Sequence, residues 1–257
     1  MGSVETKLRV LNGRLRNRLY KWRTGTTGER VTPDCADENF ANHRKVYEFA
    51  SQFVEGKAVL DCGSGTGYGT ALLIERGARS AVGIDYDDEA ISFSEQRYSQ
   101  PNLTFRKMDA QQIELPDDSF DFVITTENLE HLPRPEDNIA EIRRVLRPNG
   151  LALVATPNKE VSSPGMDKPT NPWHIKEFTY EELRDLLLGH FGAVHIFEST
   201  LQSSHRIGRD MKADRVRRGA VGLDGTVSGV VDVDGLKIDL MHLHNTHSFL
   251  ALAWKPR

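Results

Sequence analysis

Apolar residues along this chain fall into two alternating patterns. Short, largely apolar runs recur at Val59-Leu60, Ala81-Val82-Gly83-Ile84, Phe120-Asp121-Phe122-Val123-Ile124, Leu151–Thr156, Ala193–Phe197 and His247–Trp254, with a more polar one at Leu103–Met108. Between them, apolar positions recur at helical spacing: Phe40, Val46, Tyr47, Phe49, Ala50 and Phe53 over 38–53, Ala90, Ile91 and Phe93 after Asp87, and Ile139, Ile142, Val145 and Leu146 after Pro135. The runs predict strands, and the 3.6-residue period predicts helices between them. Strand and helix alternate, which predicts right-handed crossovers and a parallel sheet in an α/β fold.

Local chemistry marks the boundaries. Asp87, Asp88 and Glu89 suit a helix start, where carboxylates accept from free N–H groups and oppose the dipole. Pro135 takes a first helical position, Pro148-Asn149-Gly150 is a stop, and Thr179 with Glu182 three residues on predicts a capping box. Pro157 to Phe178, with four prolines, Trp173 and His174, is expected to be a loop. Residues 201–245 form an insertion that the core does not require, carrying Arg206, Arg209, Lys212, Arg215, Arg217 and Arg218 and an expected hairpin around Val230–Gly235. It is either solvated structure or a lid or subunit contact. Val4, Leu8, Leu11, Leu15, Leu19 and Trp22, set among Lys and Arg, predict a basic amphipathic helix weakened by Gly13. That helix packs on the domain or on a second copy, or grips a membrane surface or an anionic substrate. The expected division is N-terminal helices over 1–53 and a core over 54–257.

Composition narrows the setting. A chain of 257 residues buries one substantial core, and a net charge of −4 gives no general field for duplex nucleic acid. There are two cysteines, Cys35 and Cys62, and the second lies inside a glycine-rich turn that a bridge would immobilise. No apolar run approaches the ~18 residues of a bilayer span. A cytoplasmic setting is expected.

Chemistry enters at Val59-Leu60-Asp61-Cys62-Gly63-Ser64-Gly65-Thr66-Gly67-Tyr68-Gly69, followed by Ala71–Glu75: strand, glycine-rich turn, helix. Such a turn lets backbone approach a ligand, and the helix N-terminus offers N–H groups to its anionic part. Asp85 ends the next strand, where a nucleotide-binding unit places the acid for a ribose. The spacing is D-x-G-x-G-x-G, not the dinucleotide G-x-G-x-x-G, and it resembles motif I of the class I S-adenosylmethionine-dependent methyltransferases. Phe120-Asp121-Phe122-Val123 is similar to that family's F-D-x-V. The resemblance runs from Val54 to Arg257, weaker through the insertion, and does not include the N-terminal segment. It implies a doubly wound seven-stranded sheet of order 3-2-1-4-5-7-6 with the last strand antiparallel and helices on both faces. It also implies S-adenosylmethionine as cofactor, held by Asp61, Gly63, Ser64, Gly65, Tyr68, Asp85, Tyr86, Asp109, Ala110 and Thr126, with Asp109-Ala110 at the adenine. Helix 38–53 would then cover the cofactor and one wall of the acceptor pocket, with His43 as a packing residue or a substrate contact.

A second constellation follows the fourth strand: Thr125-Thr126-Glu127-Asn128-Leu129-Glu130-His131-Leu132. If it turns helically, Glu127, Glu130 and His131 share a face at the carboxyl end of the sheet. His174 stands on the loop after strand five, at the same rim. The set looks like the E-x-x-E-H plus distant His of metal-assisted O-methyltransferases, which implies Mg²⁺ or Mn²⁺ held by Glu127, Glu130, His131 and His174. Many methyltransferases carry L-E-H here with no metal. A sugar hydroxyl is a weak acid, so transfer needs a base or a cation that lowers its pKa, and His131 and His174 are the candidates for ligand or base.

The expected activity is O-methylation of a sugar or glycoside with vicinal hydroxyls, on a small-molecule or oligosaccharide acceptor. The alternative is O- or N-methylation of a phenolic or other natural-product molecule without metal. A nicotinamide oxidoreductase is disfavoured by the glycine spacing, and a non-catalytic partner subunit by the acids and histidines at the rim. A homodimer is compatible with the sequence.

Overall fold

A computed structural model describes residues 31–33, 38–198, 206–209, 230–233, 236–239 and 248–256. The basic helix expected over 4–23, the loop after it, Cys35 and most of the 201–245 insertion lie outside these residues. In chain order the elements are α1 (Glu38–Ala50), which runs into a 3-10 turn at Ser51–Phe53, β1 (Ala58–Cys62), α2 (Tyr68–Glu75), β2 (Ser80–Asp85), α3 (Asp88–Arg97), β3 (Leu103–Lys107) and β4 (Phe120–Thr126). A 3-10 turn at Leu129–His131 leads to α4 (Pro135–Val145), β5 (Leu146–Pro157), α5 (Lys159–Ser162), α6 (Tyr180–Leu188) and β6 (Ala193–Glu198). Then come β7 (Arg206–Arg209), β8 (Val230–Val233), β9 (Leu236–Asp239) and β10 (Ser248–Trp254).

The main sheet has the order β3-β2-β1-β4-β5-β10-β6-β7. Its first seven strands reproduce 3-2-1-4-5-7-6, with β10 as the seventh core strand, antiparallel to both β5 and β6. The eighth strand, β7, was not expected: it comes from the insertion and pairs antiparallel with the edge of β6. The hairpin expected near 230–235 is present as β8–β9, a separate two-stranded sheet.

The apolar runs have their reason in two separate cores. Phe122 and Ile124 of β4, Leu151 and Leu153 of β5 and Leu250 and Leu252 of β10 join Tyr47 and Phe49 of α1 and Leu73 of α2 on one face. Val123, Ala152, Val154, Phe249 and Ala251 alternate onto the other face, under Ile139 and Ile142 of α4 and Leu183 and Leu187 of α6. From Phe122 to Thr126, Leu151 to Pro157 and Ser248 to Ala253 each strand residue is therefore buried whichever way it points, whereas edge strand β3 has residues in water. The caps are as expected: Asp87 accepts from the Ala90 N–H at 2.9 Å, and Thr179 and Glu182 form the capping box.

Two boundaries differ from expectation. Helix α4 stops at Val145 and the chain enters β5 at Leu146, so Pro148-Asn149-Gly150 lies inside the strand rather than ahead of it. Leu146 is fully buried and pairs with Phe120, and the register shifts between Phe120 and Phe122. Burying that leucine draws the chain onto β4 before the turn residues arrive. The loop after β5 is also not wholly irregular, because Asn158 accepts from the Glu160 N–H at 2.9 Å and caps the one-turn helix α5.

Helix α1 packs on α2 at a spacing that only glycine permits. A Cβ on Gly69 would stand 2.1 Å from the Tyr47 ring. The fourth glycine of the motif thus serves helix packing. Gly69→Ala gains up to about 1 kcal/mol of helix propensity, but forcing aside a buried ring costs about 1–3 kcal/mol. The expected outcome is a lower urea midpoint with an unchanged m-value.

Candidate functional site

The parallel strands end on one edge, and the loops leaving β1, β2, β4 and β5 meet there. The glycine loop is fastened to β2: the Gly63 and Ser64 N–H groups both donate to the Ile84 carbonyl at 2.9 Å. Asp85 fixes its next turn, one carboxylate oxygen accepting from Gly65 N–H at 2.9 Å and the other from Asp87 N–H at 3.0 Å. Gly65 has φ +53° and nothing within 4 Å of where a Cβ would stand, so its backbone faces open space that a side chain would fill. Helix α2 follows without a capping side chain at its N-terminus.

This edge holds a cleft of about 300 Å³, lined by Val31, His43, Tyr47, Gly63, Ser64, Gly65, Thr66, Tyr68, Asp85, Thr126, Glu127, Asn128, His131 and Trp173. The Ser64 and Thr126 hydroxyls are buried and make no hydrogen bond among the described residues, as expected of groups waiting for a polar ligand. Gly63, Ser64, Gly65, Tyr68, Asp85 and Thr126 are therefore brought together.

Four residues of the expected cofactor set stand elsewhere. Asp61 is fully buried behind the cleft, its carboxylate accepting from Thr70 Oγ1 at 2.6 Å and from Tyr47 Oη at 3.1 and 3.2 Å. It faces the cover helix because Tyr47, an apolar helix position in the sequence, carries a hydroxyl into its reach. Tyr86 is 75% exposed, outside the cleft lining. Asp109 is turned back on Gln111, accepting from its backbone N–H at 2.8 Å, and Ala110 is buried in the core with its carbonyl accepting from Asn138 Nδ2 at 2.7 Å.

Burial pushes the Asp61 carboxyl up to about 7, against the pull of its hydrogen bonds from Thr70 and Tyr47. Burial likewise pushes the Cys62 thiol up to about 12, which makes it inert as a nucleophile.

The acid and histidine cluster is assembled differently from a helical turn. Glu127 has φ +47°, a left-handed residue ending β4, and only Leu129–His131 turn, as 3-10. Glu127 accepts from Ser248 Oγ at 2.7 Å while its carboxyl stays against that of Glu130. Glu130, His131 and His174 do come together, each offering a ligand atom within 4.8 Å of the others. The expected four-residue set is thus a set of three with Glu127 beside it.

The backbone brings His174 in: the Glu130 carbonyl accepts from the N–H groups of Ile175 at 2.8 Å and Lys176 at 3.2 Å. His131 Nδ1 lies 3.0 Å from the Trp173 carbonyl, which can only accept, so the proton is on Nδ1 and the Nε2 lone pair looks toward Glu130 Oε1, 3.9 Å away. His174 Nδ1 is 2.7 Å from Glu177 Oε1, and Asn171 Nδ2 sits 2.9 Å from its Nε2. The Asn171 amide is oriented by its Oδ1, which accepts from Trp173 N–H at 3.1 Å. Both imidazoles therefore carry the proton on Nδ1 and a lone pair on Nε2.

Glu130 is fully buried; Thr156 Oγ1 donates to its Oε2 at 3.0 Å, and among the described residues its Oε1 accepts from no N–H or hydroxyl. Burial and then the charge of Glu127 push its carboxyl well above the usual carboxylate range. A cation would reverse that shift. Glu177, 3% exposed, was missed in the sequence; its only signal was the H-x-x-E spacing from His174.

A doubly wound sheet with a glycine loop and a strand-end acid at its carboxyl edge defines an α/β enzyme that binds a nucleoside-bearing cofactor. Comparison with known proteins is specific. The family described as "Methyltransferase domain" matches residues 60–154. A relative in Mycolicibacterium smegmatis, named a probable S-adenosylmethionine-dependent methyltransferase, is 40% identical over 163 residues, 63% of this chain and 62% of its own length, just under two thirds. A relative of the same description in Mycobacterium tuberculosis is 37% identical over 207 residues, 80% of this chain and 73% of its own. A "Fatty-acid O-methyltransferase" of M. smegmatis is 39% identical over 102 residues, 39% of this chain and 37% of its own. A Haloferax volcanii putative methyltransferase, solved with the Trm112 activator, shares the fold at TM-score 0.58 and 18% identity over 85% of this chain and 90% of that one. The chain belongs to the S-adenosylmethionine-dependent methyltransferase family.

Asp85→Ala should weaken S-adenosylhomocysteine binding by about 1.5–3 kcal/mol, since hydrogen bonds to a charged group are lost from both the loop and the ligand. Titration calorimetry reads it, and unchanged affinity would mean that this acid does not serve the cofactor. For Asp61, a folded pKa near 7 against 3.8 unfolded means that the folded state binds the extra proton between those values. Stability therefore falls as pH rises through that window and levels off above it. Asp61→Asn should flatten the dependence of the urea midpoint between about pH 5 and 8, though not abolish it, because Glu130 is displaced in the same direction.

Proposed function

We propose that this chain moves the methyl group of S-adenosylmethionine to a hydroxyl oxygen of a sugar or glycoside, with a divalent cation at Glu130, His131 and His174. The observation that carries this reading is the grouping of two imidazole nitrogens and one buried carboxylate oxygen within 4.8 Å, next to the cofactor cleft that His131 lines. The donor set fits a cation: among the described residues Glu130 Oε1 accepts from no N–H or hydroxyl, His131 Nε2 stands 3.9 Å from it, and Glu177 behind His174 matches the carboxylate–histidine support seen at metal sites, while Asn171 must release His174 Nε2 for that nitrogen to ligate. Glu127 is the fourth candidate if it turns from Ser248. Two imidazoles favour Mn²⁺ over Mg²⁺.

A bound cation lowers the pKa of an acceptor hydroxyl. The single Nε2 lone pair of His131 either ligates the cation or, left free on the cleft wall, takes the hydroxyl proton while the Trp173 carbonyl on Nδ1 stabilises the imidazolium; where it ligates, Glu127 on the same lining is the side chain left to take the proton. The acceptor oxygen forms the new bond to the methyl carbon, and the electron pair of the breaking carbon–sulfur bond goes to sulfur. Asp85 and the glycine loop hold the opposite side of the cleft, so the chain's contribution is alignment as well as proton removal.

A second reading has one specific support. Without a cation, burial and Glu127 push the Glu130 carboxyl upward, and Asn171 occupies the His174 lone pair, leaving His131 as an unassisted base for a phenolic or lipid acceptor. The fatty-acid relative is in keeping with that version. Two measurements separate them. Mn²⁺ should raise the melting midpoint of EDTA-dialysed wild type by linkage, and should fail to do so for Glu130→Gln and His131→Ala. Methyl transfer to a panel of methyl glycosides and catechols should fall about 10–100-fold in EDTA or in His174→Ala, with S-adenosylhomocysteine affinity unchanged. Full activity in EDTA would leave the unassisted base.

A further inference from the structure

Resting on that reading of the cluster, we propose that the indole of Trp173 is the platform on which the acceptor lies, and that the acceptor is a neutral six-membered ring bearing vicinal hydroxyls. Among the described residues, Trp173 is one of four large hydrophobic side chains left mostly in water, at 54% exposure. It is also the one of those four that lines the cleft. A tryptophan held in water at a site is a contact surface awaiting an apolar face.

Its exposure is not looseness. Its N–H donates to Asn171 Oδ1 at 3.1 Å and its carbonyl accepts from His131 Nδ1 at 3.0 Å. Beyond it, Ile175 and Lys176 are bonded to the Glu130 carbonyl. The indole is thereby attached through its own backbone to the His131 imidazole. A ring resting on the indole has its hydroxyls set relative to His131 Nε2, the kind of alignment that an in-line transfer needs.

Charge selects among acceptors. The cleft lining contains Asp85 and Glu127 but no lysine or arginine. Among the described lining residues a carboxylate or phosphate would meet two acids and no lysine or arginine, so apart from the proposed cation no side chain there favours a fatty acid or a sugar phosphate over a neutral ring. Size selects too. A cleft of about 300 Å³ is at the lower end for small-molecule sites, and the cofactor takes its glycine side. The acceptor is left the outer rim, where Trp173 stands, which suits a single ring or the terminal ring of a longer molecule.

The test is saturation-transfer NMR on the full chain loaded with S-adenosylhomocysteine and Mn²⁺-free, using methyl α-glucopyranoside, catechol and sodium octanoate as probes. Wild type should saturate the ring protons of at least one of the two ring probes, and which one responds tells a sugar from an aromatic diol. Trp173→Ala should weaken that binding about 5–10-fold and Trp173→Phe less, with S-adenosylhomocysteine affinity intact as proof of folding. Equal ring binding in Trp173→Ala, no ring binding in wild type, or octanoate binding as strong as the rings would overturn the platform. His131→Ala separates this from the reading it rests on. Ring binding retained while methyl transfer is lost supports both. Ring binding lost with Trp173 while turnover stays full in EDTA and in His131→Ala sinks only the site reading. An unchanged ring response in Trp173→Ala with intact metal dependence sinks only the platform.

Discussion

The structure of this site depends on one buried carboxyl. Asp61 has no access to water, and its oxygens are satisfied by Thr70 on α2 and Tyr47 on α1. An unsatisfied buried carboxylate would cost several kcal/mol, so those two hydroxyls are obligatory partners and the helices that carry them are held to the end of β1. Gly69 completes the clasp by yielding its side-chain space to the Tyr47 ring. The consequence for function is indirect but firm: Tyr47 and His43 of α1 line the cleft because α1 is fastened to the strand that starts the glycine loop.

A second fastening works through backbone. The carbonyl of Glu130 accepts two N–H groups from the loop after β5, and that pair sets His174 with its ring centroid 5.1 Å from that of His131. The loop is rich in proline and polar residues and has little apolar surface to hold it, so hydrogen bonds do the holding. Glu130 therefore acts twice, with its carbonyl as the anchor and its carboxyl as a member of the cluster. A substitution at Glu130 that spares the backbone separates these functions.

The fold by itself says less about the acceptor. Doubly wound sheets host many reactions, and the cofactor side of the cleft is what this chain shares most plainly with its family. The distinguishing chemistry is on the opposite wall: a buried carboxylate oxygen without a donor among the described residues, two imidazoles with the same tautomer, and an exposed indole whose carbonyl is bonded to one of them. No helix among the described residues is long and apolar enough to cross a membrane.

The strand and helix alternation and the glycine loop were determined by sequence, because apolar runs and breaker residues act over a few neighbours and each points to one local solution; the strand order was implied by the resemblance of the glycine motif to a family, not by any local pattern. The capping box at Thr179 and the cap at Asp87 are of the same kind. Interactions across the fold decided the rest. The spacing marks Asp61 as a cofactor residue, but that its carboxylate accepts from Tyr47, fourteen residues earlier, is set by how α1 docks. Glu127, Glu130 and His131 looked like one helical face, but the backbone at Glu127 turns left-handed where β4 ends, and Ser248, 121 residues away, takes its carboxylate. Pro148-Asn149-Gly150 reads as a helix stop, yet burial of Leu146 against β4 placed it within a strand. Which side chains share a site depends on where separate segments dock, and docking is set by burial and hydrogen bonding between residues that spacing along the chain does not relate.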